Sequence, residues 1–421
     1  MTDSTIHASD IQQAQARISS EIAPTPLQYC ARLSAETGCE VYLKREDLQD
    51  VRSYKIRGAL NGMSNVPQEE RGRGIVTASA GNHAQGVAYA CRTMGIAGKI
   101  FVPEPTPMQK RDRILVHGGD QVELVVVGAN FDEAAAAAHA DAAERDATFI
   151  EPFDARDTIT GQGTVAAEVV AQLSAKGKSL DTIVVPVGGG GLISGITSYM
   201  ADMAPHTRVV GMEPEGAASL RAAFDHGGPV TLEEVDPFVD GAAVKRLGAL
   251  PYEILDANRE RLSFDTVSEG AVCTDLLNLY QNEGIIAEPA GALSVAGLHQ
   301  LDLEPGSTVV CVISGGNNDV LRYAEIMERS LVHRGLKHYF LVNFPQEPGQ
   351  LRHFLQEILG PTDITLFEYL KRNNRETGAA LVGLQLSRAE DLDGLLERMG
   401  ESKISVQYLK PGTPEYEFLV A

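Results

Sequence analysis

The chain has 421 residues, of which 43% are hydrophobic and 22% charged, and a formal net charge of −21. This length suits two or three domains, and the composition is that of an ordinary globular protein. The acidic balance argues against nucleic acid or an anionic membrane as a partner; it leaves room for one bound phosphate, which local N–H groups decide.

Strand-like and helical patterns alternate along the first part of the chain. Strands are expected at 41–44, 74–77, 99–102, 122–127, 182–187, 208–212 and 309–313, with helices at 81–94, 131–145, 161–175 and 269–283 between them. The five alanines at 134–138 belong to one of those helices, because alanine is the best helix former. Such alternation is the signature of a doubly wound α/β fold.

Four segments carry chemistry. The first, S-Y-K-I-R-G at 53–58, follows the charged stretch L-K-R-E-D-L at 43–48. Lys55 lies between Tyr54 and Ile56, a setting partly away from water. Burial lowers a lysine pKa, and a neutral amine can form a Schiff base with an aldehyde. Taken alone, Lys55 reads as one surface lysine among many. The second segment, T-A-S-A-G-N-H-A-Q-G at 77–86, places Ser79, Gly81, Asn82 and His83 at a strand-to-helix turn. Small residues and an Asx side chain suit an anion pocket there, for instance for a carboxylate. An ordinary N-cap by Ser79 or Asn82 is equally consistent.

In the third segment, T-I-V-V-P-V (182–187) runs into Gly188, Gly189, Gly190 and Gly191, and Leu192 opens a helical stretch. Residues without Cβ let N–H groups converge on an anion, and the helix N-terminus adds its positive dipole end. A Walker loop needs Lys and then Ser or Thr after the last glycine, and a dinucleotide loop needs G-x-G-x-x-G; neither fits. The 5′-phosphate of a smaller cofactor does. Close helix packing would require only one or two of these glycines. The fourth segment, V-V-C-V-I-S-G-G-N-N-D at 309–319, puts Ser314 at the tip of an apolar strand. Ligands of open parallel sheets gather beyond the carboxyl ends of strands, so the four loops are expected to face one crevice.

Beyond about Leu331 the pattern changes. Strands at 338–344, 364–370, 378–386 and 404–409, and helices at 348–358 and 389–399, follow the order β-α-β-β-α-β. Pro348 is expected to start the first of these helices and Asn373–Arg375 to form the turn between the middle strands. This is the split βαβ, ferredoxin-like unit.

Five cysteines (Cys30, Cys39, Cys91, Cys273 and Cys311) are scattered, odd in number and without a C-x-x-C pair. A disulfide framework or zinc cluster is therefore not expected, and a reducing cytosol fits. No histidine pair has metal-ligand spacing, so no catalytic metal is expected. The polar, acidic opening M-T-D-S-T-I-H-A-S-D is unlike a secretory signal, and no apolar run is long enough to span a membrane.

Together the four segments resemble the tryptophan-synthase-β-like, fold type II pyridoxal-phosphate enzymes, and within them the threonine dehydratases, over roughly residues 10–325. The resemblance implies two doubly wound α/β subdomains within 1–330, the smaller near 50–150 and the larger from 20–50 plus 151–325. It implies that Lys55 holds pyridoxal 5′-phosphate as a Schiff base and later removes the substrate Cα proton. Asn82 would bond the pyridine 3-hydroxyl, and Gly188, Gly189, Gly190, Gly191 and Leu192 would cradle the phosphate. Ser314 would face the pyridine nitrogen; a hydroxyl there, where an Asp would keep the ring protonated, favours prompt elimination. Ser79, Gly81, Asn82 and His83 would bind the substrate carboxylate. Glu288, in A-E-P-A-G-A (287–292), matches a family segment near the ring; its residues also read as a solvated carboxylate before a helix-starting Pro289.

The unit at 335–421 resembles the ACT-like amino-acid-sensing domain of biosynthetic threonine dehydratases. The resemblance implies deamination of L-threonine, with L-serine as a secondary substrate, at the opening of isoleucine synthesis. It further implies isoleucine as an allosteric inhibitor, valine as a candidate activator, a homotetramer and a cytoplasmic location. Rival readings are a serine racemase or dehydratase, a β-replacement enzyme on the same scaffold, and a regulator that has lost catalysis; Lys55 speaks against the last.

Overall fold

The computed structural model describes residues 5–369 and 377–420, so the turn expected at Asn373–Arg375 lies outside the described residues. The chain divides into two compact units, Met1–Leu321 and Arg322–Ala421.

In chain order the strands of the first unit are β1 (Leu27–Tyr29), β2 (Glu40–Arg45), β3 (Ile75–Ala78), β4 (Gly98–Val102), β5 (Val122–Val126), β6 (Thr148–Phe149), β7 (Thr182–Pro186), β8 (Arg208–Pro214), β9 (Leu262–Val267) and β10 (Thr308–Ile313). They form two sheets, β1-β2-β10-β7-β8-β9 and β5-β4-β3-β6. Only β1 runs antiparallel to its neighbour. Every residue of β7 and β10 is buried, as a strand covered on both faces requires, and both read as continuous apolar runs. At the edge of the smaller sheet, β5 is partly exposed and carries Glu123.

Sheet order decides where the loops go. In the larger sheet β10 lies between β2 and β7 and runs parallel to both, with Val309 level with Val41 and Thr182. The segments after these three strands therefore leave from one edge: 46–55, 187–191 and 314–317. In the smaller sheet β3 lies parallel to β6, so Ser79–Asn82 and Ile150–Asp154 leave side by side. Both sets emerge at the carboxyl ends of parallel strands, where such sheets form ligand crevices. One core of the first unit gathers Ile183, Val185, Ile193, Val209 and Val310, and another gathers Ile56, Leu60, Val87 and Ile100. Each such side chain contributes about 1.5–3 kcal/mol relative to exposure.

The second unit holds β11 (Lys337–Pro345), β12 (Asp363–Tyr369), β13 (Thr377–Gln385) and β14 (Ser405–Leu409) in the order β12-β13-β11-β14. All its pairings are antiparallel. The helix after β11 begins at Gln350, two residues beyond Pro348, because Gly349 takes a left-handed φ of 95° just before it. It continues as a π-helix over Phe354–Leu359. With the helix Asp391–Glu401 it buries Phe340, Phe344, Phe354, Val382 and Leu395. The helix Tyr323–His333 belongs to this unit, although the division is expected nearer residue 330 from the sequence. Glu328 ties it to β11 through Tyr339 Oη at 2.6 Å and through Lys337.

Candidate active site

Lys55 is the first residue of the helix Lys55–Ser64, at the end of the segment that leaves β2. Its Nζ donates to Pro152 O at 2.8 Å and lies 5.5 Å from the Tyr54 ring and 6.0 Å from the Phe153 ring. Burial pushes the amine down to about 8, against a partial opposing pull from the Glu288 charge. The same helix is stitched to the loop after β10: Tyr54 N donates to Ser314 O at 3.1 Å, and Ser53 bridges Gly315.

Phe153 lies on a strap, Ile150–Asp154, that sequence reasoning missed. A Cβ at Gly189 would fall 2.4 Å from its ring, and one at Gly191 would lie 3.0 Å from its carbonyl oxygen. A Cβ at Gly188 would meet Ala242 Cα at 3.0 Å, and Gly190 combines a φ of +90° with an approach of 2.7 Å to Leu247. Close packing therefore excludes a Cβ at Gly189 and Gly190 without a shift of neighbours and leaves one only tight room at Gly188 and Gly191. The anion-binding capacity rests on something else. Gly190 is the N-cap of the helix Gly191–Met203 and has no side chain with which to cap it. The N–H groups of the first turn, at Gly191 and Leu192, are left for a ligand or water. Asp154 fixes the far end of the strap, its carboxylate accepting from Ala249 N and Leu250 N at 2.9 Å each. The signal in the sequence was a Pro-Phe pair three residues beyond the end of the short strand β6.

Asn82 opens the helix Asn82–Met94, and neither it nor Ser79 is the N-cap; Gly81 holds that position. Ser79 Oγ accepts from Gly81 N at 3.2 Å in a local turn. Asn82 Nδ2 donates to Glu288 Oε1 at 2.6 Å, and its Oδ1 accepts from Asn317 Nδ2 at 2.7 Å. His83 is set apart from this cluster: its ring is 2% exposed, and Nε2 pairs with Ile150 O at 3.0 Å. Burial, then the Lys55 charge, hold it down to about 3, so its ring is neutral at pH 7. What His83 offers an anion is its first-turn N–H. Ser314 is buried, and its Oγ donates to Ala290 O at 3.2 Å.

Glu288 directly precedes the helix Pro289–Leu298, which Pro289 starts as expected. Its carboxyl is not solvated: Glu288 is 5% exposed. A Cβ at Gly315 would lie 2.3 Å from Oε1, so the glycine leaves room for the acid. Burial, then the Asp240 charge, push it up to about 7, with the Asn82 hydrogen bond pulling the other way. Asp240 pairs in turn with Lys110 at 2.5 Å. The arrangement offers an amine that gives up its proton more readily than an ordinary lysine, an uncapped helix N-terminus, a buried acid and oriented amides around one crevice. Among the described residues no group of histidines, cysteines and acids could hold a metal ion, and no helix is long and apolar enough to cross a membrane.

Comparison with known proteins agrees over both units. Residues 18–315 match the family described as pyridoxal-phosphate dependent enzyme, and residues 328–419 match the C-terminal regulatory domain of threonine dehydratase. The chain is 71% identical to the L-threonine dehydratase biosynthetic IlvA of Corynebacterium glutamicum, over 98% of this chain and 95% of the relative. It is 60% identical to the IlvA of Mycobacterium tuberculosis, over 99% of this chain and 96% of that one. Among solved structures it is similar to a processed threonine deaminase isoform of Solanum lycopersicum, with a TM-score of 0.70 and 34% identity over 78% of this chain and 95% of that one. It is also similar to a T.th. threonine deaminase, with a TM-score of 0.69 and 32% identity over 75% of this chain and 99% of that one. The chain therefore belongs to the pyridoxal-phosphate-dependent enzymes, and within them to the biosynthetic threonine dehydratases that carry a C-terminal regulatory domain.

Proposed function

We propose that the chain converts L-threonine to 2-oxobutanoate and ammonia by α,β-elimination of water, and L-serine to pyruvate more slowly. The observation that carries this reading is the position of Lys55, a half-buried amine that burial lowers to about 8, at the mouth of three adjacent parallel strands. Pyridoxal 5′-phosphate asks of a protein an amine, an anion cradle and polar partners for its ring. Lys55, the first turn at Gly191 and Leu192, and Asn82 with Ser314 fit those needs. Bound there, the cofactor supplies the electron sink for charge that develops at the substrate Cα.

The chain's own residues do the rest. Lys55 Nζ takes the Cα proton; an amine near 8 keeps a useful neutral fraction at pH 7. The first-turn N–H groups of Asn82 and His83 and the Ser79 hydroxyl hold the substrate carboxylate, with Gly81 N–H fixing the Ser79 oxygen. Ser314, which would face the pyridine nitrogen of a bound cofactor, carries no negative charge to keep that nitrogen protonated, and this would favour elimination over transamination. The Cα proton and the Cβ hydroxyl are lost in sum as one water, and the released enamine tautomerises to an imine that one water hydrolyses to the 2-oxo acid and ammonia, so that one water lost is balanced by one consumed.

The second unit is read as a sensor for isoleucine, which inhibits, with valine as a candidate activator, in a cytoplasmic homotetramer. Its matched family description and the absence of any catalytic motif in its sequence support that reading. The test is 2-oxo acid release by the cofactor-loaded chain from threonine and from serine, with isoleucine or valine added. Threonine turnover that isoleucine suppresses is expected. Turnover indifferent to isoleucine removes the regulatory part, and failure to release 2-oxobutanoate removes the substrate.

A further inference from the structure

The charged residues of the stretch 43–48 do not face water. Lys44 and Glu46 are fully buried and meet two more charged side chains, Arg57 and Glu168, that are 1% and 5% exposed. Arg57 Nε and Nη2 each donate to Glu46 at 2.8 Å; Nη1 and Nη2 donate to Glu168 at 2.7 and 2.9 Å. The fifth guanidinium N–H goes to Thr164 Oγ1 at 3.0 Å. Lys44 Nζ donates to Glu168, to Thr25 O at 2.8 Å and to Gln172 Oε1 at 3.2 Å. Every donor of both cations is used, and the four formal charges balance. Burial alone would raise the Glu46 carboxyl, but the Arg57 charge and hydrogen bonds overcome it and hold the acid at about 2.

A buried ion network of this kind is weak as a source of stability, because well-packed apolar residues often serve at least as well. What it supplies is direction: a planar guanidinium gripped by two carboxylates admits one orientation. Here it grips the third residue of the helix whose first residue is Lys55. The clamp reaches that turn from β2 and the 3-10 turn after it, and from the long helix Arg156–Ser174. Lys55 has a flexible stem whose amine must leave and return to the same place during each turnover, so the position of its Cα is the part the fold can fix.

We propose that the Lys44–Glu46–Arg57–Glu168 quartet is a positioning device for Lys55, with Arg57 acting through the first turn of the lysine helix. This rests on the reading of Lys55 as the reacting amine. The variants are Arg57→Lys, which keeps the charge and loses the fork, and Thr164→Val, which removes one acceptor from the guanidinium. Each is compared with the wild type for the rate at which the cofactor-free chain couples to pyridoxal 5′-phosphate, followed by visible absorbance, and for kcat and KM of the loaded chain with threonine. Thermal unfolding is followed in parallel. Misplacement of a reacting group by about 1 Å costs on the order of 100-fold. Arg57→Lys is therefore expected to slow both coupling and kcat by about 10- to 100-fold with KM little changed, and Thr164→Val to slow both by about 2- to 5-fold. A lower unfolding temperature with coupling rate and kcat at wild-type values would overturn the proposal. If Arg57→Lys does not fold, Thr164→Val decides alone. If the wild type couples normally but does not turn threonine over, the substrate assignment fails and the coupling rate still decides the role of the quartet.

Discussion

Asn82 Nδ2 donates to Glu288 Oε1 at 2.6 Å, and this bond joins the loop beyond the smaller sheet to the loop before the helix Pro289–Leu298. Asn317 completes the fixation by donating to Asn82 Oδ1. The amide is thereby oriented, with one N–H committed to the acid and the other free for a ligand. The acid is buried without a cation in contact, and it supports the Lys55 ammonium in part from nearby.

Coupling of the cofactor-free chain to pyridoxal 5′-phosphate is expected to quicken as pH rises and to level off above about 8, where the Lys55 amine is neutral. An ordinary lysine would keep gaining up to 10.5. Glu288→Gln removes a charge that favours the ammonium, so the midpoint should move to lower pH. Stopped-flow absorbance across pH 6–10 measures it, and an unmoved midpoint contradicts the link between the two groups.

Gly189→Ala is expected to cost about 1–3 kcal/mol by overpacking. Its methyl would lie 2.4 Å from the Phe153 ring, and cofactor affinity should fall with it. Trimming the ring in the double variant with Phe153→Ala should recover part of the loss. Urea unfolding of Gly189→Ala, Phe153→Ala and the double variant checks this; Gly189→Ala as stable as the wild type contradicts the packing assignment.

The fold was legible where a strand is buried on both faces or a turn has a chemical signature. The apolar runs at β7 and β10 and the glycines and serine that follow them stand in the sequence as they stand in the crevice. The edge-strand character of β5 and the helix Tyr323–His333 were not readable, since both depend on what packs against them. In the site, Lys55 and Asn82 stand out only through the four segments taken together, since alone they read as a surface lysine and an ordinary cap. Phe153 and Asp154 do not, because their importance comes from contacts with Gly189 and Leu250 across long sequence separations. Least readable is the stretch 43–48: Lys44 and Glu46 are paired with the distant Glu168 and Arg57, which local sequence cannot show.

Acid should destabilise the fold partly through His83. Its folded value of about 3 lies below the ordinary 6.5, so the unfolded ring takes its proton first, and stability from this group is lost as pH falls from 6.5 towards 3. Glu213 and Glu288, raised to about 7, act in the opposite sense between 4.5 and 7. The readout is therefore the difference between wild type and His83→Gln in denaturant unfolding from pH 7 to 4. That difference should shrink as pH falls; a constant difference contradicts the buried neutral ring.

Lys55→Ala should abolish the visible absorbance of the bound cofactor and lower threonine turnover by about 1,000-fold or more, since proton transfer alone is worth about 10²–10⁴. Absorbance spectra and 2-oxo acid release measure the two losses. Retained turnover contradicts the assignment of Lys55 as the base.

The most direct measurement is to load the wild-type chain with pyridoxal 5′-phosphate, reduce it with borohydride and locate the label by peptide mass mapping. The expected result is a single phosphopyridoxyl group on Lys55. A label on any other lysine, or a reduced protein carrying none, contradicts the site built around that residue.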